Sequence, residues 1–111
     1  MTKFQSISVN DVYRLNQNGK AAALLDVRSP GEFSEVHAAI AKNIPLTEIQ
    51  PDTLQRSGFH SDQPVYVICR SGARSRQACE LLSASGFEQV FNVEGGTCAW
   101  EAQGLPVKRG E

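Results

Sequence analysis

The stretch Cys69-Arg70-Ser71-Gly72-Ala73-Arg74-Ser75 gathers a thiol, two cations, two hydroxyls and a glycine into one short segment. Those residue types suit nucleophilic attack by sulfur on a small anion. The segment follows Val65-Tyr66-Val67-Ile68, a β-branched and aromatic run that predicts a central strand. After it, Ala78, Leu81 and Leu82 mark the buried face of a predicted helix that stops at Gly86. A cysteine between a buried strand and a helix N-terminus faces backbone N–H groups that have no intrahelical partner. Residues 70–75, curled around the sulfur, would aim those donors at it as an anion-binding nest. The helix end, Arg70 and Arg74 would favour thiolate and lower the Cys69 pKa below the ~8.5 of a free thiol. Gly72 permits a tight approach of backbone to sulfur.

Charge is unevenly placed around this segment. Arg70, Arg74 and Arg76 fall within seven residues, with no acidic residue between Asp62 and Glu80. The whole chain is slightly acidic, at net charge −1 and pI near 6.1, so the basic cluster reads as a local mouth for an anion. Had Cys69 stood alone, a buried strand-end cysteine would be the simpler reading. The glycine, serines and arginines behind it favour a working nucleophile.

Several elements must position that loop. Ser8-Val9-Asn10-Asp11 reads as a capping box, with Ile7 and Val12 as its hydrophobic staple. Val9, Val12 and Leu15 share one helix face, and Gly19 is the expected stop. Ala22 to Val27 is a short buried strand with Asp26 near its end. Pro30 suits the first turn of a short helix through Glu32 and Phe33. A further short helix between Leu46 and Gln55 must break or restart at Pro51. Val90-Phe91-Asn92-Val93 is another strand, and Gly95-Gly96 turns into a helix bearing Ala99 and Trp100. This alternation predicts an α/β fold with a mostly parallel sheet covered on both faces. Sites in such sheets gather beyond the carboxyl ends of the strands, which is where Cys69 lies.

The bulk numbers fit one soluble domain over residues 1–111. The chain is 41% hydrophobic and 21% charged, with a mean hydropathy of −0.30. No apolar run reaches membrane-spanning length, and Met1-Thr2-Lys3-Phe4-Gln5 lacks the apolar core of a secretory signal. The charge balance gives no bias toward nucleic acid or a membrane surface. Three cysteines without metal-ligand spacing argue against a disulfide scaffold or a zinc site, so a reducing cytoplasm is the expected home.

Three ordered motifs then resemble the rhodanese family over essentially the whole chain. The Cys69 loop is similar to the family's cysteine, two residues, glycine, one residue, arginine or threonine. Asp26-Val27-Arg28-Ser29-Pro30-Gly31-Glu32-Phe33, continued by His37 and Asn43-Ile44-Pro45, resembles its first signature. Gly95-Gly96-Thr97-Cys98-Ala99-Trp100, with Gly104 and Pro106, resembles its closing motif. The resemblance implies a rhodanese-like three-layer domain with a sheet of about five strands. It also implies sulfur transfer through a Cys69 persulfide, from an anionic donor such as thiosulfate to cyanide, a thiol or a partner protein. No metal or organic cofactor is implied.

Related phosphatases and arsenate reductases place five residues between cysteine and arginine. Here Arg74 follows Cys69 after four, which favours a sulfur atom over a phosphate. Arg70 directly after the cysteine looks like the thiosulfate-type members. A non-catalytic anion-sensing or partner-docking module is the remaining alternative, and the intact Cys69 argues against it. Val36, Ala38 and Ile40 stand where the family usually has glycine, isoleucine and glycine, so the segment around His37 is expected to be repositioned.

Supporting residues carry weaker expectations. Asp26 would orient loop groups, and Arg28 would pair with Glu32, as a structural ion pair more than a functional one. His37 would hydrogen-bond backbone beside the site, and His60 would be solvated. Cys79 would be a small core residue. Cys98 would pack more readily than it would act as a resolving thiol. Phe91 and Trp100 would anchor the core.

Overall fold

Apolar strands flanked by half-apolar helices leave the chain few ways to hide both faces of its sheet, and the computed structural model, which describes residues 4–18 and 23–110, shows the solution. In chain order the elements are β1 (Gln5–Ile7), α1 (Val9–Gln17), β2 (Leu24–Asp26), α2 (Pro30–Glu35), β3 (His37–Ala38) and β4 (Lys42–Asn43). A 3₁₀ turn at Leu46–Glu48 leads to α3 (Pro51–Arg56), β5 (Val65–Ile68), α4 (Ala73–Ala84), β6 (Val90–Val93), α5 (Gly96–Ala102) and β7 (Val107–Lys108). Five strands form one parallel sheet in the order β1-β6-β5-β2-β4. β3 and β7 form a separate antiparallel ribbon.

Alternation along the strands divides the core in two. Leu25, Val65 and Val67 point to the side holding Leu54 of α3 and Ala78, Cys79 and Leu82 of α4. Leu24, Tyr66 and Ile68 point to the other, with Val9 and Val12 of α1 and Trp100 of α5. Helices therefore cover both faces. From β2 the chain runs one way to β4 and the other way to β5, so a topological switch point lies between β2 and β5. Ligand crevices open at such points, beyond the strand ends. Val27 and Cys69 both leave the sheet there, held together by the Val27 N–H on Ile68 O at 3.0 Å.

Local signals explain most element boundaries. Ser8 caps α1 by accepting the Asp11 N–H at 3.1 Å, but Asp11 turns its carboxylate to Arg14 at 3.0 Å instead of closing the expected box. A complete capping box forms at α2, where Ser29 and Glu32 exchange backbone and side-chain hydrogen bonds and Pro30 occupies the first turn. Pro51 restarts the helix after the 3₁₀ turn, as its missing N–H requires. Gly19, the expected stop of α1, and Ala22, the expected start of β2, lie outside the described residues; Asn18 caps α1.

One core expectation needs correction. Leu81 is 48% exposed, because the buried stripe of α4 runs through Ser75, Ala78, Cys79 and Leu82. Trp100 is fully buried, meets Tyr13 edge-on at 6.2 Å and donates its indole N–H to Pro106 O at 2.7 Å. Phe91 is only partly buried and stacks on Tyr66. No helix among the described residues is long and apolar enough to cross a membrane.

Candidate active site

Residues 70–75 curl around the Cys69 sulfur, between the end of β5 and the first turn of α4. Gly72 adopts φ +118°, a backbone conformation that side-chain-bearing residues rarely take, and so turns its N–H onto the sulfur at 3.0 Å. The Ser75 hydroxyl lies 3.4 Å from the same sulfur. Cys69 is itself 1% exposed. Burial pushes its pKa up, but the Ser75 hydroxyl and the N–H groups of Ser75, Gly72 and Ser71 outweigh it, and the thiol ends below its usual value. Ala73 contributes backbone as the first residue of α4.

Arg28 and Arg74 take partners that the sequence did not suggest. Arg74 forms a two-pronged ion pair with Glu32, at 2.7 and 2.8 Å, which holds the Glu32 carboxyl down at about 2. Arg28 is nearly buried and pairs not with Glu32 but with the fully buried Asp26, at 2.9 Å, while its other hydrogen bond goes to Val36 O at 2.6 Å. The Asp26 carboxylate is thus occupied by the side chain and N–H of Arg28, not by groups of the Cys69 loop. Asn43 finishes this brace by donating to the carbonyls of Asp26 and Arg28. Arg70 is exposed and, among the described residues, has no carboxylate partner. The thiolate-favouring groups are therefore hydrogen-bond donors of the loop, and the free cation at its mouth is Arg70.

A second element presses on the loop from the other side. Gly96 opens α5 at φ +57°, and a Cβ there would collide with the carbonyl oxygens of Cys69 and Arg70. Thr97 donates both its N–H and its hydroxyl to Cys69 O, at 2.8 and 3.1 Å. The Cys98 N–H donates to Arg70 O at 3.1 Å. The turn glycines thus seat α5 directly on the backbone that carries the sulfur. The sequence reading gave Thr97 no part in this, although it sits inside the closing motif. It missed Asn92 too, which is 4% exposed and bonded through its side chain to the Ser75 hydroxyl. The available signal was one amide in the otherwise apolar strand Val90-Phe91-Asn92-Val93.

The remaining candidates separate cleanly. Cys79 is fully buried, and burial pushes its thiol up to about 12, which leaves it unreactive. Cys98 is exposed rather than packed, and it lines a recess of about 190 Å³ with Arg28, Glu32, Glu35, Arg70 and Glu101. Three carboxylates therefore share this recess with Arg70, where the run of sequence around Cys69 showed only positive charge. His37 stacks on Phe33 at 3.6 Å and bonds Phe33 O through Nδ1 at 2.7 Å, while His60 is exposed. Ala38 pairs with Val107 in the ribbon, and Ile40 packs on the core beneath it. No cluster of three or more metal-ligating side chains occurs among the described residues.

Comparison with known proteins points the same way as the geometry. Residues 8–103 match the family model described as a rhodanese-like domain. A protein named sulfurtransferase from Allochromatium vinosum is 38% identical over 84 residues, covering 76% of each chain. A protein named thiosulfate sulfurtransferase GlpE from Vibrio cholerae is 34% identical over 97% of this chain and 98% of its own. A crystal structure of a rhodanese-related protein from Thermoplasma volcanium superposes with a TM-score of 0.77 at 37% identity, covering 95% of this chain and 98% of that one.

Proposed function

The chain belongs to the rhodanese-like domain family, and from that premise we propose that it is a sulfurtransferase whose Cys69 carries sulfane sulfur as a persulfide. The Cys69 thiolate attacks the outer sulfur of an anionic donor such as thiosulfate. The sulfur–sulfur bond of the donor breaks, its electron pair leaves with sulfite, and Cys69 holds one extra sulfur. A nucleophilic acceptor (cyanide, a small thiol or a thiol of a partner protein) then attacks that outer sulfur and returns Cys69 to thiolate. This is covalent, two-stage catalysis, and the chain's own contribution is to prepare the thiolate and cradle the anion.

The observation that carries the reading is the cradle itself: a buried sulfur receiving the Gly72 N–H at 3.0 Å beside the Ser75 hydroxyl. The Gly72 N–H favours a charged sulfur, and the Ser75 hydroxyl is near enough to donate to it as well. Arg70 is the proposed attractor of the donor anion, with residues 71–75 supplying the cradle. Arg74 serves chiefly to tie α4 to α2 through Glu32. The donor named for the Vibrio cholerae relative, thiosulfate, is the natural first substrate to try.

Intact mass spectrometry after incubation with thiosulfate tests the proposal. The expected result is a gain of one sulfur, about 32 Da, removed by cyanide and absent in a folded Cys69→Ser variant. Sulfur uptake by Cys69→Ser would overturn the mechanism. Absence of any adduct with thiosulfate, polysulfide or a persulfide donor would favour a docking module or, if an aryl phosphate is cleaved, a phosphatase.

A further inference from the structure

The Ser75 hydroxyl has one proton to give and three acceptors around it. Gly72 O lies at 3.1 Å, Cys69 Sγ at 3.4 Å, and the side-chain amide of Asn92 completes the set. Ser75 is fully buried and Asn92 is 4% exposed, so water does not readily compete for that proton. A carboxamide accepts through Oδ1 or, after half a turn about its last bond, donates through Nδ2. The two settings do opposite things to the sulfur. With Oδ1 facing Ser75, the hydroxyl gives its proton to Asn92, and Ser75 Oγ is left to accept from a Cys69 S–H. With Nδ2 facing Ser75, the amide gives its own proton to Ser75 Oγ, and the hydroxyl is free to donate to a thiolate.

We infer that Asn92 is a positioning residue that sets the direction of the Ser75 hydroxyl, and through it the readiness of Cys69 to react. The amide turns with the charge of the sulfur, so each state of Cys69 meets a complementary partner. Asn92 sits in the middle of β6, paired in parallel with β1 and β5, which holds its backbone still while only the amide changes face. The inference rests on Cys69 being the reacting thiol of the proposed function.

The charged and titratable groups near the sulfur are Arg70 of the loop, Arg74 and Cys79 of α4, Asp26 of β2 and, through Arg74, Glu32 of α2. Beside Arg70, Glu35 of α2 and Glu101 and Cys98 of α5 line one recess. None of them changes when Asn92 or Ser75 is substituted, so a shift in such variants reports the hydroxyl and its partner.

The test follows alkylation of Cys69 by iodoacetamide across pH, read by peptide mass mapping so that Cys98 and Cys79 are scored separately. Asn92→Leu is expected to raise the midpoint and slow alkylation below it about threefold, and Ser75→Ala to do the same or more. The effect of Asn92→Leu should vanish in the Ser75→Ala background, because it acts only through that hydroxyl. Asn92→Asp keeps the shape, and once ionised it only accepts and its charge opposes thiolate, so it should slow alkylation about tenfold or more at pH values where the carboxylate is charged. It serves as the second variant should Asn92→Leu fail to fold. An unchanged midpoint in either folded variant, or an Asn92→Leu effect of equal size with and without Ser75, overturns the inference. Sulfur uptake by Cys69→Ser would instead sink the proposed function and leave the alkylation result standing.

Discussion

At the scale of single residues, the groups that bond the Cys69 sulfur are distinct from the exposed cation next to it in the chain. Backbone N–H groups and the Ser75 hydroxyl lower the Cys69 pKa against the opposing effect of burial. Arg74, with its guanidinium tied to Glu32, is poorly placed to serve a ligand as well. Arg70 remains the exposed cation beside the mouth. Arg70→Ala is therefore expected to raise the thiosulfate concentration needed for half-maximal uptake about tenfold, in line with one lost charge-assisted hydrogen bond. Its thermal midpoint should stay near that of the parent. Equal thiosulfate dependence in the two proteins, measured by sulfite release, would count against the role.

At the scale of elements, the site is a loop held between two helices. α4 supplies the first turn that closes the cradle, and α5 clamps the carbonyls of Cys69 and Arg70 from outside. The clamp depends on Gly96, where backbone meets backbone with no room for a Cβ. Gly96→Ala should push α5 off the loop and misplace the donors. The expected outcome is a fall in sulfur uptake well beyond the fall in stability, which is about 1–3 kcal/mol for such overpacking. Chemical denaturation gives the second quantity and mass-detected uptake the first. Full uptake in Gly96→Ala would show that the cradle holds without the clamp.

At the scale of the molecule, α2 and α4 are joined by Glu32 and Arg74, which lie 42 residues apart in the chain. The ion pair, helped by Ser29, lowers the Glu32 pKa from 4.5 to about 2. A carboxylate with a depressed folded pKa stabilises fully above its unfolded value, and that contribution is lost as pH falls through the folded one. Stability should therefore drop between about pH 4.5 and pH 2. Both side chains are partly open to water, which limits the pair to about 1 kcal/mol. Glu32→Gln should be slightly less stable at neutral pH and less sensitive to acid across that window. Parallel melting curves with an unchanged slope would remove the pair from the acid response.

Chain order alone determined the fold class, the place of Cys69 at a strand end, most helix starts and the short spacing from Cys69 to Arg74. These follow from local physics: alternation of apolar residues, serine and proline at helix entrances, and glycine where the backbone must turn. The choice of partners did not follow. Glu32 lies four residues from Arg28 in sequence, yet it bonds Arg74, because the end of β2 turns Arg28 inward onto Asp26 while α2 presents Glu32 toward α4. In sequence Cys98 reads as a packing residue and Leu81 as buried, but α5 turns Cys98 toward the recess and α4 turns Leu81 outward. Asn92 was a lone amide in an apolar strand, and only the parallel packing of β6 beside β5 brought it to Ser75. Periodicity reports which face of an element is buried. Which side chains then share a proton or a charge depends on how the elements rotate against one another, and that is settled only when the whole sheet closes.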